Sequence, residues 1–164
     1  CVKYFTASPL NSEKEKRQSA LFKANKIINE ERVQFIKGST KKTNQMPKYI
    51  GNTFEIYEEK RTDVNISVEI IGDCAFDKTD LIILISADSD LVSPLEYVLK
   101  NFQQKRIKVF FPPERKSTDL MMLIRKQGGR VIFLDNNELK FKKSMMDHLV
   151  TVGNKSVQIP NEWL

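Results

Sequence analysis

The chain has 164 residues, of which 40% are hydrophobic and 29% are charged. These fractions exclude a disordered or fibrous protein, and the length suits one domain with its own core. The net charge is +6, and residues 1–48 hold all of the excess, with eleven Lys and Arg against four Glu. Such a basic segment suits a polyanion such as RNA, although a solvated, lysine-rich helix face explains the charge at least as well.

Membrane and zinc chemistry are also disfavoured by the sequence. No apolar stretch approaches the roughly 20 residues that cross a bilayer, and the N-terminus lacks the order of a secretory signal. We therefore expect no membrane-spanning segment and a cytoplasmic location. Two cysteines, Cys1 and Cys74, and one histidine, His148, cannot assemble a tetrahedral zinc site of the usual spacing.

In chain order, the first half predicts two strands joined by a helix. Residues 2–6 and 32–37 have strand character, and Ser12 with Glu15 forms a capping box that predicts a helix between them. Residues 38–52 are polar and rich in turn formers, which predicts a loop or a hairpin that residues 53–57 close.

The segment around residues 64–70 is ambiguous. Its β-branched apolar residues alternate with polar ones, and this period predicts a strand. A helix capped by Thr62 and Asp63 is the competing interpretation.

The second half gives clearer signals. Residues 81–86 predict a strand buried on both faces, and Ser93 as N-cap, followed by Pro94, predicts a helix start. A strand at residues 107–111, a helix at 117–126 and a last strand at 130–134 follow, then a short helix and a loosely held end. We expect one domain over residues 1–150 and a C-terminal tail over residues 151–164.

Alternating strands and helices predict a parallel sheet, whose ligands bind beyond the carboxyl ends of the strands. Asp88 and Asp90 follow the most buried strand and can point both carboxylates at one place. A Mg²⁺ or Mn²⁺ ion would relieve their repulsion. Capping of the next helix is an equally good explanation from spacing alone, although Ser93 already provides a cap.

Three stretches have the pattern of a known family: residues 3–7, residues 57–66 and residues 80–90. They resemble the LabA-like branch of the NYN domain family, within the PIN-like nuclease superfamily. The third family motif usually reads Ser-Gly-Asp-Ser-Asp-Phe, and here it reads Ser-Ala-Asp-Ser-Asp-Leu from Ser86 to Leu91. Two prolines after residue 111 and the helix after Ser117 also fall where the family has them.

The resemblance implies an α/β, PIN-like (Rossmannoid) three-layer sandwich with a mainly parallel central sheet flanked by helices. It implies a metal-dependent ribonuclease that hydrolyses RNA phosphodiester bonds with Mg²⁺ or Mn²⁺ bound by Asp63, Asp88 and Asp90. Ser86 would support these carboxylates, and Lys60 would meet the scissile phosphate. The residues expected to contact RNA, single-stranded or structured, are Lys60, Arg61, Asn65, Arg115 and Lys116. There is an alternative interpretation for two of these residues. Lys60 could be an ordinary surface lysine, and Asp63 could be a charge that is favourable at the N-terminus of a helix.

Two departures from the family pattern matter. Ala87 stands where the family has glycine, and because alanine disfavours a positive φ, we expect a turn without one at this position. The family opens with a strand ending in an aspartate, and this chain does not contain that strand, so we expect the N-terminal strand and one metal ligand to be missing and this chain to be inactive alone. The family's cysteine-rich insertion is also absent. The alternative function is a non-catalytic RNA- or protein-binding PIN-like module, and a homodimer is compatible with the sequence.

Overall fold

The structure is a computed structural model, and it describes residues 1–9, 11–45 and 54–161. The chain divides into two compact units, one of Cys1–Asn65 with Met146–Leu164 and the other of Ile66–Met145. The boundary falls within a single continuous helix, Thr62–Ala75.

The described residues form nine strands and five helices. The strands are β1 (Val2–Thr6), β2 (Val33–Lys37), β3 (Ser39–Gln45), β4 (Phe54–Lys60), β5 (Leu81–Ile85), β6 (Arg106–Phe111), β7 (Arg130–Phe133), β8 (Leu149–Val152) and β9 (Lys155–Gln158). The helices are α1 (Ser12–Asn29), α2 (Thr62–Ala75), α3 (Val92–Asn101), α4 (Thr118–Lys126) and α5 (Glu138–Ser144). Among these helices, none combines the length and apolar character needed to cross a membrane.

In the first unit, β1 and β2 pair in parallel with α1 as their connection. Three rings hold the helix on the strands: the Phe22 ring centroid lies 4.0 Å from that of Phe35 and 6.1 Å from that of Tyr4. Each such pair contributes about 0.5–1.5 kcal/mol beyond burial. The predicted strand-helix-strand order is therefore confirmed.

The start of α1 differs from the predicted capping box. The side chain of Asn11 accepts hydrogen bonds from the amides of Glu13, at 2.9 Å, and Lys14, at 3.1 Å. Ser12 is already the first helical residue. Asparagine caps as well as serine does, and the extended backbone of Asn11, with φ −83° and ψ 124°, places its oxygen over the first turn.

Two antiparallel hairpins complete this unit. β3 pairs with β4, which confirms the hairpin, one of the two forms that the sequence predicts for residues 38–52. Residues 46–53, including the expected start of the closing segment at Thr53, lie outside the described residues. β8 pairs with β9 around Gly153, at φ 58°, and this second hairpin packs against α1. The sequence patterns do not indicate it, because each of its strands has only four residues.

The second unit is a parallel sheet in the order β5-β6-β7. Helices α3 and α4 connect these strands, and their apolar stripes form the core. Leu95 and Val98 of α3, Leu120 of α4, and Val109 and Phe111 of β6 are completely buried. Truncating such a leucine to alanine typically costs about 2–5 kcal/mol.

The two faces of β5 differ. Ile82 and Leu84 join the core, but the side chains of Ile83 and Ile85 are 54% and 63% exposed. The prediction of a strand buried on both faces is therefore wrong for the described residues, because the core of this unit covers only one side of β5.

The ambiguous segment around residues 64–70 is helical, which confirms the competing interpretation and not the strand. Ile66, Ile70 and Cys74 are four residues apart and lie on one face of α2, where Ile70 and Cys74 are buried in the core. Burial along this helical stripe outweighs the β-branched composition that favours a strand. Cys74 is a core residue with a free thiol.

Candidate metal centre

The turn after β5 carries two of the predicted carboxylates. The Asp88 amide donates a hydrogen bond to the hydroxyl oxygen of Ser86 at 3.1 Å, and the Asp90 amide donates to Asp88 Oδ1 at 3.0 Å. A short 3₁₀ turn, Ser89–Leu91, follows, and Leu91 is completely buried. The turn is thus fixed by its own hydrogen bonds and by one apolar anchor.

Ala87 occupies this turn without strain. The described residues with positive φ and a side chain are Glu30, Arg61, Asp77 and Glu114, and Ala87 is not among them. Alanine in place of the family's glycine therefore needs no left-handed backbone here.

Helix α2 brings the third carboxylate. Asp63 lies in its first turn. One carboxylate oxygen from each of Asp63, Asp88 and Asp90 lies within 4.8 Å of the others, and all three residues are exposed. Residues 63 and 88 are far apart in sequence, so the structure brings together the three residues that the resemblance implies.

The capping alternative also finds support. Ser93 is not the N-cap of the following helix, because α3 begins at Val92 and continues directly from the 3₁₀ turn. Asp88 caps that turn instead. The prediction that Ser93 caps this helix is therefore wrong, and Asp88 does have a capping role. A carboxylate has two oxygens, so one can accept an amide while the other faces a cation.

The donor set fits a hard divalent cation. Three carboxylates offer only oxygen ligands, which suit Mg²⁺ and Mn²⁺, whereas zinc sites usually include nitrogen or sulfur. Carboxylates this close also repel one another unless a cation lies among them.

The other predicted residues lie on two segments. Lys60 ends β4 and is exposed, and Arg61 joins it to α2 with a left-handed backbone, φ 73°. The side-chain amide of Asn65 donates to the Lys37 carbonyl oxygen at 3.4 Å, which ties the start of α2 to the end of β2.

Arg115 and Lys116 are exposed and lie between β6 and α4. β6 runs parallel to β5, so this loop follows the same edge of the sheet as Asp88 and Asp90. The amide of the neighbouring Glu114 donates to Asp135 Oδ1 at 2.8 Å, which supports the loop.

Sequence reasoning missed one residue that positions Asp63. A Cβ on Gly38 would lie 2.7 Å from the carbonyl oxygen of Lys60 and 2.7 Å from Thr62 Oγ1. Only glycine allows this close approach, so Gly38 sets where α2 begins. The available signal is a lone glycine directly after a predicted strand, at the start of the segment that is predicted to be a loop or a hairpin.

Asp77 and Asp80 also have a role that their loop position conceals. The buried ammonium group of Lys105 donates to Asp77 Oδ1 and lies 3.5 Å from Asp80 Oδ1. The hydrogen bond from Lys105 lowers the pKa of Asp77, and the same bond raises the pKa of Lys105. This ion pair is structural and lies apart from the predicted site residues.

A parallel sheet flanked by helices, with carboxylates gathered beyond its strands, is the arrangement of a PIN-like nuclease. The NYN domain matches residues 5–134, which is most of the chain. This chain belongs to the NYN domain family, whose fold is PIN-like and which includes nucleases that act on RNA. No curated protein and no solved structure is found to match it.

Proposed function

We propose that this protein is a metal-dependent endoribonuclease that hydrolyses RNA phosphodiester bonds at Asp63, Asp88 and Asp90. The observation that carries the proposal is the approach of their carboxylate oxygens to within 4.8 Å of one another, in a chain of the NYN family. A nuclease site built on carboxylates needs no histidine or cysteine nucleophile.

In this proposal, Asp63, Asp88 and Asp90 hold Mg²⁺ or Mn²⁺. When bound, such an ion lowers the pKa of its water and stabilises the charge that develops on the phosphate. Ser86 keeps the Asp88 backbone in place through its hydroxyl oxygen. Lys60, exposed and three residues before Asp63, meets the scissile phosphate.

The RNA contacts proposed are those of Lys60, Arg61, Asn65, Arg115 and Lys116. Four of these residues are cationic, and those four are exposed. Exposed Lys and Arg bind the sugar–phosphate backbone without reading the sequence of bases. The proposal therefore expects weak base preference and strong dependence on salt.

From the same resemblance we place the protein in the LabA-like branch, and we propose that it acts in the cytoplasm.

The test is cleavage of single-stranded RNA by the full-length protein in Mn²⁺ or Mg²⁺. Asp88→Asn keeps an oxygen that can cap the turn but removes the charge, so we expect the cleavage rate to fall at least about 100-fold with the fold intact. Asp147→Asn removes one exposed aspartate elsewhere and serves as the matched control. Equal activity in the Asp88→Asn variant would show that a contaminant cuts the RNA.

The second candidate is a PIN-like module that binds RNA or a protein without cutting. The capping of the 3₁₀ turn by Asp88 favours it, because this role explains one carboxylate without a cation. Calorimetry separates the two candidates. Salt-sensitive RNA binding by a full-length protein that takes up no Mn²⁺ identifies the binding module.

A further inference from the structure

The second unit contains a cavity of about 990 Å³ at the edge of its sheet. Arg106 begins β6 and Arg130 begins β7, so the cavity lies at the amino ends of these strands. Asp88 and Asp90 follow the carboxyl end of the parallel neighbour β5. Ligands of open parallel sheets usually bind at the carboxyl ends, so this cavity is separate from the site proposed above.

The lining of the cavity is strongly basic. Among its fifteen lining residues the only carboxylate belongs to Glu96. Its cationic lining residues are Lys100, Lys105, Arg106, Lys108, Lys126 and Arg130.

Five of these six cations make no ion pair with the described residues. Lys105 is held by Asp77 and Asp80. The side chains of the other five make no ion pair or hydrogen bond to the part of the chain that the structure describes.

Helix ends explain only part of this charge. Lys100 and Lys126 lie in the last turns of α3 and α4, where a cation is favourable next to the helix dipole. Strands have no comparable dipole, so this explanation does not extend to β6 and β7. Lys108 stands directly opposite Arg130 in the β6–β7 register, so these two cations are neighbours at the start of β7.

The chemistry of the lining distinguishes among anions. None of the lining residues is aromatic, so no ring is present on which a nucleotide base could stack. The amides of Gly128 and Gly129 already donate to the carbonyl oxygens of Arg125 and Ile124, at 3.0 and 2.9 Å, so they cannot cradle a terminal phosphate. What remains is flexible Lys and Arg side chains, which suit a sugar–phosphate backbone.

We propose that this basic cavity binds the phosphodiester backbone of RNA as a second contact, remote from the carboxylates. This inference rests on the proposed function, because it assumes that RNA is the substrate. The five residues of β5 span about 17 Å at roughly 3.3 Å each. A short oligonucleotide at the carboxylates does not reach the cavity, whereas a longer RNA does.

The experiment compares two variants with equal loss of charge. The cavity variant is Lys100→Gln, Lys126→Gln and Arg130→Gln, and the control variant replaces three exposed lysines outside the cavity, Lys140, Lys143 and Lys155, with glutamine. Binding of single-stranded RNA of about 30 nucleotides is measured by fluorescence anisotropy in EDTA across a salt series, so that no cleavage takes place. Lys100→Gln with Lys126→Gln alone replaces the triple variant if Arg130 is needed for folding.

We expect the cavity variant to bind the long RNA about tenfold more weakly and to lose about 2 from its salt slope, at about 0.7 per phosphate neutralised on a single strand. In cleavage assays its KM should rise for the long RNA but not for one of about four nucleotides, with kcat unchanged. Equal weakening in both variants would overturn the proposal, as would displacement of RNA by inorganic triphosphate at equal molar concentration, which indicates a small-anion site. If the wild type binds RNA through the cavity but does not cleave it, the proposed function fails while this inference stands.

Discussion

The hydroxyl oxygen of Ser86 accepts a hydrogen bond from the backbone amide of Asp88 at 3.1 Å. Asp88 in turn accepts one from the amide of Asp90 at 3.0 Å. These two successive bonds orient the turn that carries both aspartates, and they do so without a glycine at position 87. The serine of the motif therefore acts on the carboxylates through the backbone.

Removing that hydroxyl should weaken metal binding more than it weakens the fold. In Ser86→Ala the Asp88 amide loses its acceptor at a solvent-exposed position, so water replaces the bond and stability falls by less than about 1 kcal/mol. We expect the Mn²⁺ dissociation constant to rise about tenfold, as is typical when a group that supports a ligand is lost. Calorimetry measures it. Ser86→Thr keeps the hydroxyl and should restore affinity, and failure to do so contradicts this role.

Two substitutions at Asp88 separate capping from charge. Asparagine retains an oxygen for the Asp90 amide, so Asp88→Asn should unfold at nearly the wild-type denaturant concentration. Asp88→Ala removes the cap and should cost about 1 kcal/mol. Both variants should lose Mn²⁺ binding. Urea melts that show equal stability for the two variants would exclude the capping role.

Gly38 and Gly72 provide a pair of glycine-to-alanine substitutions with opposite outcomes. At Gly38 the new methyl group would meet the Lys60 carbonyl oxygen at 2.7 Å, so we expect a loss of about 1–3 kcal/mol from overpacking. At Gly72, inside α2, no described atom apart from the helix's own backbone and the neighbouring residues lies within 4 Å of the new methyl group, and alanine should stabilise the helix by about 0.5–1 kcal/mol. Chemical denaturation measures both. Only Gly38→Ala should also weaken Mn²⁺ binding, because it displaces the residues that precede Asp63.

The Lys105–Asp77 ion pair makes stability depend on pH. The hydrogen bond from Lys105 lowers the pKa of Asp77 below 3.8, so its contribution is present above that value and is lost as pH falls through the lowered pKa. The Asp77→Asn variant should melt at a lower temperature than wild type at neutral pH, and the difference should shrink as the solution is acidified below about pH 4. Asp80→Asn should have a smaller effect, because the Lys105 ammonium group lies closer to Asp77 than to Asp80, whose Oδ1 is 3.5 Å away. A difference that persists in acid would contradict the ion-pair explanation.

The sequence predicts the alternation of strands and helices wherever its apolar residues form a simple, bounded pattern. β1, β2, β5 and β6 fall within one residue of the predicted positions, because their apolar runs are bounded by proline or by polar residues. α4, Thr118–Lys126, begins within one residue of the predicted start, and the side chain of Ser117 caps it by accepting from the Leu120 amide. Local chemistry decides such features, so one sequence is sufficient to predict them.

Features that depend on distant neighbours were not readable in this way. The β-branched residues of α2 favour a strand locally, and only burial of Ile70 and Cys74 in the core makes the segment helical. The closeness of Asp63 and Asp88 was predicted only through the family resemblance, because no hydrophobic period or motif spacing connects two residues so far apart in the sequence. The partners of Lys105 and the space around Gly38 are likewise tertiary, and a single sequence carries no signal for them.

Helix α2 links the position of the Asp63 carboxylate to the packing of the core at the other end of the helix. Asp63 is at its first turn, and Cys74, 3% exposed, is fastened in the core eleven positions later. At 1.5 Å per residue those positions are about 16 Å apart, so a tilt of roughly 5° about Cys74 displaces Asp63 by about 1.4 Å. A change in the packing around the Cys74 thiol would therefore move Asp63 and disturb the geometry on which phosphodiester hydrolysis depends, even with every acidic side chain intact.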